Sequence, residues 1–139
     1  MAREIVLWQL SNSIFSEKAR WALDYKRIPH RRRNLPPGIH SDLLRLLGRG
    51  GTVPVLDING LQVRQSAAII ALLEQKFPDP PLFPQNEQDL SRALQLEEFF
   101  DEECGHEVRR VMLDESDDSV SKRRGLELEV TRLLTTFAE

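Results

Sequence analysis

Apolar and polar residues alternate with two different periods along this chain, and the switches between them predict its elements. Ile5 to Leu10 is a short, nearly continuous apolar run of the kind a buried parallel strand shows. From Ser16 to about Lys26 the period becomes helical. Ala19, Ala22 and Leu23 fall on one side, Glu17, Lys18, Asp24 and Lys26 on the other. Ile28-Pro29 ends that helix, and Arg31 to Leu35 alternates as a second strand. Pro36-Pro37-Gly38 is a turn. Ser41 can cap a helix through Leu47, which Gly48, Gly50 and Gly51 stop. Val53 to Ile58 reads as a third strand, Asn59-Gly60 as a two-residue hairpin and Leu61 to Arg64 as the returning fourth. Ser66 to Phe77 is a helix with Ala67, Ile70, Leu73 and Phe77 aligned.

The order is β-α-β-α-β-β-α. A crossover helix between strands implies a parallel pair, and the hairpin adds an antiparallel one. That is the α/β, thioredoxin-like arrangement, complete by about residue 78. Residues 79–86 are a stiff proline-rich linker. Residues 87–139 are then a short all-α segment: a long amphipathic helix from Glu87 to about Leu113, kinked at Gly105, a loose acidic stretch from Asp114 to Ser121, and a second helix from Lys122 to Phe137.

Composition narrows the partners. A formal net charge of −3 gives no reason to expect nucleic acid. Arg31-Arg32-Arg33, with Arg27 and His30 nearby, reads as a solvated edge-strand face before it reads as an anion site. No apolar run is long enough to span a bilayer, and Met1-Ala2-Arg3-Glu4 enters a strand without a secretory pattern. The single cysteine, Cys104, excludes an internal disulfide and a four-cysteine zinc site; it reads as a small buried hydrophobe. His106 and Glu107 lack the spaced partner a metal pair needs. A reducing, cytoplasmic setting is the expectation.

Two places carry chemistry. Gly51-Thr52-Val53-Pro54-Val55-Leu56 puts a proline at the start of a strand, a good candidate for a cis bond that turns the Val53 N–H and C=O outward to pair with an extended peptide. Eleven residues on, Gln65-Ser66 opens a helix whose free N–H groups favour a carboxylate. The second place is the loop after the first strand, with Ser11, Asn12, Ser13 and Ser16 at a βα junction. Ser13 and Ser16 are each open to a second reading, as helix caps alone. Trp21, Leu23 and Ile70 read as core. Trp8 reads equally as core or as pocket lining.

On these residues the chain resembles the glutathione transferase superfamily, serine-type and zeta-like. Ser13-Ile14-Phe15-Ser16-Glu17-Lys18 looks like the family's active-site motif, with Ile14 where proline is common. The resemblance implies that Ser13 faces the thiol of glutathione, with Ser11 as the fallback hydroxyl. A serine hydroxyl and helix N–H groups would lower the thiol pKa and raise the thiolate fraction. It also implies that Val53 and Pro54 hold the cysteinyl part of glutathione, and that Gln65 and Ser66 hold its γ-glutamyl end. Gln65 stands where many members carry glutamate. The family further implies a homodimer built from residues 61–101, and either thiolate attack on a small electrophile or a glutathione-dependent isomerisation. The competing reading is a non-catalytic dimerisation or binding module on the same fold, favoured by Ile14 and the short helical segment. Thiol oxidoreductase chemistry is nearly excluded by the cysteine count, unless Cys104 reaches the site.

Overall fold

A computed structural model describes residues 4–113. The segments expected at Asp114 to Ser121 and Lys122 to Phe137 lie outside the described residues. Strands β1 (Ile5–Gln9), β2 (Arg31–Asn34), β3 (Val55–Ile58) and β4 (Leu61–Arg64) form one sheet in the order β2-β1-β3-β4. The β1–β2 pair is parallel and the other two pairs are antiparallel. Helices α1 (Ile14–Tyr25), α2 (His40–Leu46) and α3 (Ser66–Lys76) complete the expected β-α-β-α-β-β-α order. The thioredoxin-like α/β fold is therefore present, and helical structure follows it.

Strand alternation divides the apolar side chains between two faces. On one face, Ile5 and Leu7 of β1 and Leu56 and Ile58 of β3 meet Ala19, Ala22 and Leu23 of α1 and Ile69, Ile70 and Leu73 of α3. Each fully buried leucine or isoleucine there contributes roughly 1.5–3 kcal/mol. On the other face, Trp8, Leu10 and Val53 pack against a smaller group of Leu35, Leu44 and Val55, with Leu44 supplied by α2. The β3–β4 turn has φ of 52° at Asn59 and 88° at Gly60, the paired positive values of a type I′ hairpin. Its position is fixed by Glu4, whose N–H donates to Asn59 Oδ1 and whose C=O accepts from the Asn59 N–H, both at 3.0 Å.

Several expectations are corrected. Helix α1 begins at Ile14, two residues early, because Ser13 takes the cap position. Ser16 is then fully buried inside the helix, and its Oγ accepts from the Leu10 N–H. Trp21 is 68% exposed, so it is not core, whereas Leu23 and Ile70 are. In α3 the inward positions include Ile69, while Ala67 is exposed. Helix α2 starts at His40 after an Ile39 cap that makes no side-chain bond, so Ser41 sits inside it. The third strand starts at Val55, leaving Val53 and Pro54 in the preceding loop.

The far end of the α1–α3 layer is tied to the proline-rich stretch. The Lys26 ammonium, wholly buried, donates to the Phe77 and Pro80 carbonyls at 2.6 and 2.8 Å and pairs with Glu74 at 2.7 Å. Glu74 in turn accepts from the Leu82 and Phe83 N–H groups. Leu82 and Phe83 pack on the main core. A second cis peptide lies at Asp79–Pro80.

The chain divides into two compact units between Ala93 and Leu94. Helix α4 (Glu87–Phe99) fully buries none of its residues; Leu90, Ala93, Leu96 and Phe99 are half-buried and Leu94 is exposed. The interruption expected at Gly105 comes one turn earlier, as a π-helical turn over Phe100–Cys104, and α5 runs from Gly105 to Leu113. A π turn is one of the identifiable features at which a long helix departs from regular geometry. Cys104 is buried as expected, and burial, with Glu103 beside it, pushes its thiol pKa up, which disfavours the thiolate.

Candidate functional site

Register brings the separated sequence segments to one end of the sheet. Trp8, Val55 and Arg64 are cross-strand partners on β1, β3 and β4. Beyond that row, β1 continues into the Ser11–Ser13 loop, β3 is entered from Val53-Pro54, and β4 leaves into Gln65-Ser66. The antiparallel turn of β3 against β1 is what makes the start of one strand the neighbour of the end of the other. Ser13, Val53, Pro54, Gln65 and Ser66 therefore all emerge at the same end, where α1 and α3 also begin. Ser11 shares the β1 loop with Ser13 and is exposed.

At the α1 start, Ser13 is the helix cap, and its Oγ accepts from the Ser16 N–H at 3.2 Å. A hydroxyl that accepts one bond keeps its own proton to donate. Capping and donation to an incoming anion are thus compatible roles for one oxygen. The loop is shaped by Arg20, a buried residue that the sequence reading passed over. Its guanidinium donates to Gln9 Oε1 at 3.1 Å and to the Ser11 carbonyl at 3.4 Å, and pairs with Glu17. Gln9 Nε2 donates onward to Asn34 Oδ1 at 2.7 Å, so the network reaches β2. Burial, and Arg32 nearby, lower the Arg20 pKa while Asp24 opposes them. The visible signal was spacing: Arg20 is four residues from the inward Ser16 and three from Leu23.

The Val53–Pro54 peptide is cis, as expected from the proline at that place. Pro54 is buried, and Val53 is half-buried against the Trp8 group. Val53 stands outside the ladder, whose register begins at Val55. The preceding loop takes Gly50 at φ +83°, a backbone conformation that favours glycine, with the movable Arg64 side chain beside it.

At the α3 start, Gln65 is the cap residue, yet no side chain caps the helix. Its backbone has φ 69° and ψ 135°, a region a residue with a Cβ rarely occupies. Such strain, on the order of 1–3 kcal/mol, is characteristic of ligand clamps. Ser66 is buried in the first turn. The uncapped N–H groups leave positive potential at this end.

Trp8 and the β2 arginines lie as follows. Trp8 packs beside Val53 and Leu44, with the Arg49 guanidinium 4.6 Å from its ring centre. The arginines of β2 are exposed on an edge strand; Arg31 faces Glu4 and Arg32 binds Asp24 through two bonds of 2.8 Å. Among the described residues, no group of three His, Cys, Asp or Glu side chains is placed to hold a metal ion, and no helix is long and apolar enough to cross a membrane.

The family described as glutathione S-transferase, N-terminal domain, matches residues 7–81. A stringent starvation protein A homolog of Haemophilus ducreyi is 31% identical over 78 residues, which is 56% of this chain and 36% of the relative. Glutathione S-transferase Z2 of Arabidopsis thaliana is 41% identical over 63 residues, 45% of this chain and 27% of the relative. The match thus spans about a third of the length of these relatives. Among solved structures, rice GST1 in complex with glutathione superposes with a TM-score of 0.70 at 26% identity, covering 96% of this chain and 62% of that one.

Proposed function

The chain belongs to the glutathione S-transferase family through its N-terminal domain, and from that premise we propose that it binds glutathione and activates its thiol. The observation that carries this reading is the shared register row, which gathers Ser13, Val53 and Ser66 at one end of the sheet. The Val53 backbone would pair with the cysteinyl unit of the tripeptide. Ser66 and the uncapped α3 N–H groups would take the γ-glutamyl carboxylate, with Gln65 beside it. Ser13 would donate its free proton to the sulfur, helped by the α1 dipole, so that the thiol ionises near neutral pH. The thiolate, not an enzyme residue, is then the nucleophile toward a small electrophile, or the catalyst of a glutathione-dependent isomerisation.

We also propose a homodimer through residues 61–101, where Leu61, Leu94 and Phe100 are exposed, acting in the cytoplasm. The domain bounds that suit this reading are residues 1–78 for glutathione and 87–139 for the helical part, joined by 79–86.

The test follows the thiol itself. Thiolate absorbance of glutathione in the ultraviolet, titrated against pH with the chain in excess, should rise at a lower pH than for free glutathione. Ser13→Ala should return the midpoint toward the free value while glutathione stays bound. Should Ser11→Ala move the midpoint and Ser13→Ala leave it, Ser11 is the donor. Bound glutathione with an unshifted midpoint in the unaltered chain would favour the non-catalytic binding module.

A further inference from the structure

The loop that carries Val53 is held from behind by a residue with no part in the contacts proposed above. The Arg49 guanidinium lies over the Trp8 ring at 4.6 Å, within cation–π reach. It donates to Asp57 Oδ2 on β3 at 2.9 Å and to the Leu47 carbonyl at 3.3 Å, while its own N–H donates to the Leu44 carbonyl at 2.7 Å. Asp57 Oδ1 accepts from the Gly60 N–H at 2.7 Å. One side chain thus joins the α2 end, β1, β3 and, through Asp57, the hairpin turn. The ion pair is largely sheltered, with 22% and 14% of the two side chains exposed. Only Gly50, Gly51 and Thr52 separate Arg49 from Val53, and Val53 packs in the same group as Trp8.

We infer that Arg49 is a positioning residue for the Val53 backbone: standing on Trp8 and holding Asp57, it fixes the orientation in which Val53 meets a peptide ligand. Its consequence for glutathione rests on the proposed function; its effect on the loop does not. A glycine-containing run of three residues has little stiffness of its own, so its geometry is inherited from its two anchors, Pro54 in front and Arg49 behind. Arg49 makes its fixed contacts with a planar fork and a stacked face, which a lysine reproduces only as a point charge. Because Arg49 is assigned no contact with the sulfur, its loss acts on affinity, and the ionisation of bound thiol stays where it was.

Two readouts on the full chain test this. Amide nitrogen-15 relaxation order parameters at residues 50–53 should fall from the rigid range, about 0.85, to below about 0.6 in Arg49→Leu, while those of α3 hold. Glutathione affinity by calorimetry should fall about tenfold, with the thiolate midpoint unmoved. Arg49→Lys keeps the charge toward Asp57 and should fall between the two; it also serves where the leucine variant does not fold. Arg33→Leu, on the exposed edge strand, should change neither readout. A local fall in order in a chain that binds no glutathione upholds the brace and defeats the proposed function. Unchanged order parameters at residues 50–53 in Arg49→Lys and Arg49→Leu, or a fall spread evenly over the domain in the lysine variant, overturn the brace even where glutathione binds.

Discussion

The two ends of the α1–α3 layer solve their polar groups in opposite ways. At the far end, Lys26 and Glu74 close the helix C-termini against the proline-rich stretch: the ammonium takes the Phe77 and Pro80 carbonyls, and the carboxylate takes the Leu82 and Phe83 amides. Donors and acceptors there answer one another inside the chain. At the near end, α3 starts without a side-chain cap behind a strained Gln65, and the Ser13 hydroxyl uses a lone pair on Ser16 while keeping its proton. The difference teaches where a ligand can enter. A helix end that the chain has already satisfied offers nothing; one left with spare donors selects an anion.

The comparison breaks most visibly at Lys26. Lys26→Met would leave Glu74 half-sheltered without its cation and two carbonyls without a donor, a loss of about 3 kcal/mol. Denaturant melts should show that loss, and glutathione affinity of the folded chain should not change. A parallel loss of affinity would mean that the two ends are not separate.

Ser13→Ala comes next. It should lower turnover about a hundredfold with any electrophile the chain accepts, as removal of one preorganised donor does. The same change removes a cap and so costs about 1 kcal/mol of stability, which melts would register beside the kinetics.

Acid sharpens the contrast further. Burial alone would raise the Glu74 pKa, but the Lys26 bond and the Leu82 and Phe83 amides outweigh it, so its pKa is lowered. A group depressed on folding contributes stability above its unfolded value, near about 4.3, and loses it as pH falls through the folded value. Melts below about pH 4 should therefore lose stability in the unaltered chain, and Glu74→Gln should flatten that part of the profile.

The smallest effect is at Gln65. Gln65→Gly should relieve the positive φ and raise stability by about 0.5 kcal/mol, strain relief slightly exceeding the entropy of the glycine. Glutathione affinity should fall at the same time, since the side chain beside the γ-glutamyl end is gone.

Much of this was legible in the residues. The type I′ hairpin followed from Asn59-Gly60, because few other pairs tolerate two positive φ values. The cis bond followed from a proline placed between loop and strand. The helix faces were legible in part. The inward stripe of α1 runs through Ser16, Ala19, Arg20 and Leu23, with Ala22 buried beside it, and that of α3 is Ser66, Ile69, Ile70 and Leu73. Both keep the i, i+3, i+4, i+7 spacing, and both begin with a serine. Hydrophobicity alone points Trp21 inward, whereas the spacing puts Arg20 on the inward stripe and Trp21 outside it. Arg20 is admitted to the interior because Gln9 and the Ser11 carbonyl receive its hydrogen bonds, a fact of tertiary structure that local pattern does not carry. The π turn at Phe100–Cys104 precedes the kink expected at Gly105, because an interruption of this kind needs no glycine and leaves no signal in composition.

The central claim is that the near end takes glutathione by its γ-glutamyl carboxylate. Calorimetric titration of the unaltered chain and of Ser66→Ala tests it most directly. The account predicts micromolar-to-millimolar binding to the unaltered chain, weakened by about 1–3 kcal/mol in the variant. No heat and no thermal shift with the unaltered chain, or equal affinity in the two, would contradict it.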